Sequence, residues 1–326
     1  MPEAKDIQKA FIEKVKLSFP PNQSFVDELA ELLNTSNDSA YRRMRGDTLL
    51  SIDEIALICK HFNVAFEPVA LANESASFAY HKLMGNEQGF EKWFTNLYQN
   101  VKHIAGIDDN EIIYAADDVP IWHHFNTPTL ICFKIFYWQK SILNRVEFAD
   151  KIFSIEYIEP SLITTAENLR NEYNKTKSTE IWTEDTLNST LKQIEYYWES
   201  GFIKSKEEAL QLCDEISHEI NLLKQKAETE CKLDDGKKNF TLYQSEVMVG
   251  NNSILVRVAD NKMVFISNNT FNAMSTQNTD FINETEAWLN NIIKRSVLIS
   301  GVNEKQRNKF FRTLHTKIDS LRALID

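Results

Sequence analysis

The chain has 326 residues, 43% of them hydrophobic and 11% aromatic, with only 8 Gly and 7 Pro, and a formal net charge of −11. It is long enough to bury a sizeable core, and its composition excludes a disordered or collagen-like chain; the length favours two domains. With an acidic balance overall, any site for a polyanion has to be a local patch.

Cys59, Cys132, Cys213 and Cys231 lie far apart without a C-x-x-C pair, the usage expected of a reducing cytosol. The amino-terminal stretch MPEAKDIQKAFIEK has no apolar core of the kind a signal peptide needs, so the expected location is cytoplasmic. The most apolar run, TLICFKIFYW at 129–138, is too short for a bilayer and is interrupted by Lys134, which leaves no membrane partner.

In chain order, Ile7, Ala10, Phe11 and Val15 recur at helical spacing and predict a helix over 4–17, stopped by the prolines of SFPPNQ. Ser24 with Asp27 three residues on opens a second helix to about Leu33, with Val26, Leu29, Ala30 and Leu33 inward. Asn34 tolerates the left-handed conformation that ends a helix in a tight turn. Ser36 caps a short third helix from Asn37 to about Arg45, with Ala40 and Met44 toward the core and Gly46 closing it. Ser51 and Glu54 form a capping box for a fourth helix with apolar residues Ile52, Ile55, Ala56, Cys59 and Phe62.

Helix, turn of about four residues, short helix is the order of a helix-turn-helix. The run LAELLNTSNDSAYRRMRG resembles, without a gap, the Cro and repressor (XRE-type) helix-turn-helix family: Leu29, Ala30, Leu33, Ser36, Arg42 and Gly46 match, and Ala40 stands in the small apolar slot. AYRRM is also similar to the related BetR-type regulators. Asn34 replaces the family's turn glycine, Thr35 its usual valine, and Val26 occupies the slot where a phosphate-contacting glutamine is common. The resemblance spans residues 4 to 66 and implies an all-helical DNA-binding domain over 1–68.

It also implies that the third helix lies in the major groove. Ser36, Asn37, Asp38 and Ser39 then approach base edges at its start, and Tyr41 and Arg42 face outward one turn later. Asn reads adenine, Arg reads guanine, and Asp38 accepts from cytosine or repels phosphate. Arg43 and Arg45, nearer the helix end, are expected on backbone phosphates. Residues 1–66 carry eight Lys or Arg against ten Asp or Glu, yet 36–46 hold three Arg against one Asp. Phosphates respond to potential over about 10 Å at ordinary salt, so the local patch suffices, at modest affinity per monomer; a homodimer is expected.

A short connection over 67–78 leads to a second domain, 79–326. There Phe90, Trp93, Phe94, Leu97 and Val101 predict a helix over 86–103. EIIYAADDVPIW reads as a strand ending in a turn, a buried helix follows with Thr127 as its cap and Pro128 at its first position, and KIFSIEYI at 151–158 reads as a strand. The segment from IYAADD to QKSIL is similar to one in uncharacterised bacterial regulators with the same helix-turn-helix, which implies architecture and no ligand.

Residues 160–231 are helix-rich, and Ala209, Cys213, Ile216, Ile220, Leu223 and Ala227 form a seam that Leu187, Leu191, Ile194 and Trp198 match. From 239 the period becomes two: FTLYQSEVMV, SILVRVAD and KMVFIS are expected as an antiparallel meander. A helix over 281–294, a strand SVLIS and a helix over 303–324 carrying Phe311, Leu314, Ile318, Leu321 and Ile325 complete an α+β pattern.

Neighbouring His123 and His124 point different ways on regular structure and read as a solvent-facing pair. Asp117 and Asp118 before Val119 and Pro120 read as a turn, and Cys213, Glu215, His218 and Glu219 match no metal-binding spacing. Most of the aromatic residues around Trp122–Trp138 are expected as core. No phosphate loop, dinucleotide fingerprint or nucleophile elbow is present, so neither an enzyme nor a cofactor or metal is expected. The sequence reads as a sequence-specific regulator that binds double-stranded DNA as a homodimer, with a large domain for dimerisation or for sensing a small-molecule or protein effector. The alternative is an adaptor whose helical module docks a protein.

Overall fold

The computed structural model describes residues 3–17, 19, 24–62, 64, 66, 76–80, 82–83 and 89–326. They form an α+β protein of two compact units, Met1–Tyr80 with Met274–Asn283, and His81–Ala273 with Glu284–Asp326. The prolines expected to stop the first helix, and most of the expected 67–78 connection, lie outside the described residues.

The first unit holds α1 (Ala4–Leu17), α2 (Phe25–Leu32), α3 (Asn37–Met44), α4 (Ile52–Phe62) and the short β1 (Ala79–Tyr80). Phe11, Ile12, Val15, Leu29, Ala30, Ala40, Leu50 and Ile58 are buried in one cluster, with Ile55, Cys59 and Phe62 packed on its side. Two faces differ from the expected ones. On α1 the inward arc runs through Gln8, Phe11, Ile12 and Val15, which leaves Ala10 outside. On α4 it is centred on Ile58, so Ala56 is exposed and Ile52, the helix's first residue, is 84% exposed.

Gln8 is buried among these apolar residues because one side chain satisfies three backbone groups. Its amide donates to the carbonyls of Arg43 (2.7 Å) and Thr48 (2.8 Å), and its oxygen accepts from the Leu50 N–H (2.7 Å). The loop that follows α3 is thereby fastened to α1 at both ends.

The second unit contains α5 (Gly89–Ala105), β2 (Asn110–Ala116), a 3-10 turn at Ile121–Phe125, and α6 (Pro128–Tyr137), which runs on into a π turn at Trp138–Ile142. Then come α7 (Pro160–Lys175), β3 (Ser178–Trp182), α8 (Asn188–Glu199), α9 (Lys206–Thr229), β4 (Phe240–Gln244), β5 (Ser253–Val258), β6 (Asn261–Asn268), β7 (Asn272–Thr276), α10 (Thr279–Arg295), β8 (Val297–Leu298) and α11 (Glu304–Ile325). From Met274 on, β7 belongs to the first unit, where it pairs antiparallel with β1 (Tyr80 against Met274).

The sheet of the second unit is mixed, in contrast to the antiparallel meander expected. β2, β3 and β4 are parallel neighbours, β5 pairs antiparallel with β2 and β6 with β5, and β8 pairs antiparallel with β4. Parallel neighbours need long crossovers, and the chain supplies them as α6–α7 between β2 and β3 and as α8–α9 between β3 and β4. β4 also ends at Gln244, five residues before the expected strand does.

On one face Ile112, Tyr114, Ala116, Trp182, Phe240, Leu242 and Val256 join the main apolar cluster with residues of α5 to α9 and α11. On the other, Glu111, Arg257 and Lys262 are cross-strand neighbours, and Glu286 of α10 pairs with both Arg257 (2.6 Å) and Lys262 (2.7 Å). The α9 seam is buried throughout and faces α11, whose Phe311, Leu314, Ile318, Leu321 and Ile325 are also buried.

The segment 151–158 is no strand. Phe153 and Ile158 enter the core, whereas Ile152, Ile155 and Tyr157 stay exposed; Ser154 caps a 3-10 turn at Ile155–Tyr157. Alternation without a neighbouring strand edge gives no ladder. At α6, Pro128 takes the first turn as expected, but the Thr127 hydroxyl makes no cap bond.

His123 and His124 do point apart, but both are buried, which overturns the solvent-facing reading. Each meets a buried carboxylate that reading left out: His123 Nε2 lies 2.9 and 3.0 Å from the Glu180 oxygens, and His124 Nδ1 lies 2.9 Å from Glu219 Oε2. Glu180 is at the middle of β3, a central strand. The Tyr173 hydroxyl and Trp182 Nε1 (2.8 Å) also donate to it. Burial pushes its carboxyl upward, but the charge and bond of His123, the Tyr173 bond and nearby Lys232 outweigh this and bring it down to about 2.

Gln8→Ala leaves three backbone groups without their partner and is expected to cost the first unit roughly 2–4 kcal/mol, measured by urea unfolding. Glu180→Ala removes the shared partner of a buried network and should cost the second unit about 3–5 kcal/mol. Burial, opposed by Glu219, holds His124 below its usual 6.5, so the unfolded chain takes up that proton more readily. Calorimetric melting temperatures should therefore fall as pH drops through 6.5, and fall further below 4.5 as the Glu180 contribution is lost.

Candidate nucleic-acid interface

The pair α2–α3 is built from its caps. Ser24 Oγ accepts from the Asp27 N–H at the start of α2, and Asn34 ends that helix with a φ of 48°, as its tolerance of the left-handed region predicts. Ser36, extended at ψ 155°, accepts from the Ser39 N–H (3.3 Å) and starts α3. Gly46 follows with a φ of 70°. A Cβ there would lie 3.2 Å from the Lys5 carbonyl oxygen and 2.7 Å from Lys5 Cγ, so both conformation and space call for glycine. At α4 the capping box is reciprocal: the Ser51 N–H donates to Glu54 Oε2 (2.8 Å) and the Glu54 N–H to Ser51 Oγ (3.2 Å).

Within α3, Ala40 is fully buried, and the helical period divides the other residues. Asn37, Asp38, Tyr41, Arg42 and Arg45 share one exposed face, with Ser36 exposed at the cap and Ser39 half-buried beside it. The Arg42 and Arg45 side chains are 59% and 63% exposed. Arg43 is different. Three residues on from Ala40, it turns toward the core side, keeps 20% exposure, and places Nε 3.0 Å and Nη2 2.8 Å from Glu54 Oε1. Its remaining Nη1 donates to the Ser39 carbonyl at 3.4 Å. The phosphate contact expected of Arg43 is thus replaced by a bond that fixes α3 to the start of α4.

Asn37, Arg42 and Arg45 also have acidic partners. Arg42 Nε lies 3.3 Å from Asp38 Oδ2, one turn earlier, and Arg45 Nε lies 3.0 Å from Asp47 Oδ2. Asp47 also receives Lys5 (3.4 Å), and Asn37 Nδ2 donates to Asp27 of α2 at 2.7 Å. Desolvation would raise Asp47, but Lys5 and Arg45 overcome it and hold the carboxyl below its usual range. Glu54 is likewise lowered, burial being outweighed by the Ser51 and Arg43 bonds. Gln8, Asp27, Asp47 and Glu54 were not foreseen in this role. The Glu54 partnership had a signal in the sequence, because Arg43 shares the Ala40 side of α3; the others depend on contacts between helices.

In the second unit the Asp117 and Asp118 turn is held by its backbone N–H groups, which both donate to Asn252 Oδ1 (2.8 and 3.0 Å). Cys213 is buried in the α9 seam, and Glu219 on the same helix is spent on His124. Trp122, Phe125, Phe133, Phe136 and Trp138 are core residues, as expected. No helix among the described residues is long and apolar enough to cross a membrane.

The chain matches no family model, no curated protein and no solved structure.

Proposed function

We propose that the first unit is a helix-turn-helix module that places α3 in the major groove of duplex DNA, and that the protein is a transcription regulator acting as a homodimer. The observation that carries this reading is the single exposed face of α3, where Asn37, Tyr41, Arg42 and Arg45 project from a short helix fixed to the rest of the unit by its other side. Asn37 has the donor and acceptor for adenine, and Arg42 the fork for guanine; Asp38 can accept from cytosine, and Ser36 and Ser39 can bond several bases. Arg45, at the helix end, meets a backbone phosphate. Arg43 acts as a strut. The second unit is assigned the tasks of pairing two copies and responding to a small-molecule or protein effector, which would set the spacing of two α3 helices against half-sites about 34 Å apart.

A protein-docking adaptor is the second reading. It is favoured by Leu49, Ile52 and Leu57, exposed on and just before α4, and by an apolar groove of about 280 Å³ between α1 and that loop. Salt separates the two: DNA binding weakens steeply as salt rises, and apolar docking does not.

Selection of bound fragments from a random duplex pool is expected to enrich a palindrome; a pool that stays unenriched at low salt would sink the DNA reading. With a selected site, Arg42→Ala should weaken binding by about 1–3 kcal/mol and relax preference at one base, and Arg45→Ala should weaken it evenly across sequences. Both should melt within about 0.5 kcal/mol of wild type, since exposed pairs contribute little. Arg43→Ala should instead lower the first unit's stability by about 1–3 kcal/mol, read by urea unfolding, because it strands Glu54.

A further inference from the structure

The acids that face α3 are a recurring feature of its polar face. Asp27, Asp38 and Asp47 engage Asn37, Arg42 and Arg45 in turn, and they come from α2, from α3 itself and from the loop beyond it. We infer that Asp38 is a specificity-determining residue of the α3 face: it occupies the base-reading Arg42 in the free protein, as Asp47 occupies the phosphate-binding Arg45, and so suppresses binding to DNA of arbitrary sequence. This rests on the DNA reading above and goes beyond it by giving the acidic residues a role.

The physical argument concerns exchange. Both ion pairs are well exposed, with side-chain exposures of 59% and 74% for Arg42 and Asp38 and 63% and 43% for Arg45 and Asp47. Such pairs are individually weak and open readily. A phosphate that takes an arginine must nevertheless displace a carboxylate already there, and that carboxylate then lies close to the polyanion. Random duplex offers only phosphates in return, so its gain is nearly cancelled. A correct site adds base-edge bonds: guanine for Arg42, and a cytosine amino group that donates to the Asp38 carboxylate. Asp38 therefore taxes the two kinds of complex unequally, whereas Asp47, whose partner Arg45 meets phosphate in both, lowers the two alike.

The test uses the full chain and a labelled random-sequence duplex of about two helical turns, titrated by fluorescence anisotropy over about 50 to 200 mM salt. Asp38→Asn, Asp47→Asn and the double variant are compared with Glu13→Gln, which removes the same charge from α1, where Glu13 pairs with Lys16. Melting curves establish that each variant is folded; if Asp38→Asn lowers stability, Asp38→Ser, which keeps a polar side chain in the first turn of α3, takes its place. The expected result is random-duplex affinity up roughly tenfold in the double variant, with a salt slope steeper by about one per arginine released, and a smaller ratio of selected to random binding in the Asp38 and double variants with the ratio unchanged in Asp47→Asn. Wild-type binding to a selected site with a double variant no different from Glu13→Gln would overturn the inference and leave the DNA reading standing. No binding by wild type or any variant at low salt would overturn the DNA reading itself.

Discussion

A carboxylate in the middle of a buried parallel strand is the constraint around which the larger unit is arranged. Glu180 cannot reach water, so its two oxygens must be met from within, and the donors come from four places: the turn after β2, α7, β3 itself and, by charge, Lys232 before β4. Lys232 is in turn held by the Tyr173 carbonyl and Ser178 Oγ, each at 2.9 Å. These bonds specify how the crossover elements lie on the sheet, which apolar contact alone would leave less defined. The cost is sensitivity: any loss of one partner leaves a buried charge exposed to a low-dielectric interior.

The smaller unit solves a different problem, that of presenting a short helix whose polar face is free. Eight residues of α3 contribute one fully buried side chain, Ala40, so packing of the helix itself cannot hold it. Three devices, two of them polar, do so instead. Gln8 fastens the following loop to α1, Arg43 joins α3 to Glu54 at the start of α4, and Gly46 lets the chain turn closely against Lys5. Each uses groups on the core side, which leaves Asn37, Tyr41, Arg42 and Arg45 on the outer side. The proposed interface thus depends on residues that would never touch a ligand.

The acidic character of the chain takes on meaning at this face. A net charge of −11, and an acidic partner for each arginine at α3, make indiscriminate attraction to a polyanion weak. What the face retains is geometry: a bidentate donor, an amide and a phenol at helical spacing. Selectivity by unequal penalty fits such a surface better than affinity through charge.

Local chemistry was legible in advance. Capping at Ser24, Ser36 and Ser51, the left-handed Asn34, the closing Gly46, and the α9 and α11 stripes follow from preferences that act within a few residues, and the α+β class follows from the two periodicities. Partnership across the chain was not. Residues 160–231 read as helix-rich, which concealed β3 and its parallel neighbours, and the carboxylates that accept two buried histidines lie on distant elements; the alternation of KIFSIEYI at 151–158 promised a strand that no free edge received. Arg43 read, with Arg45, as a phosphate contact until its position beside Glu54 set it apart. The amino-acid order by itself determined the caps of α2, α3 and α4 and the apolar stripes of α9 and α11, because backbone capping and side-chain period are short-range. Only the tertiary structure decided which polar groups are buried, because desolvation and pairing depend on neighbours brought together from distant parts of the chain.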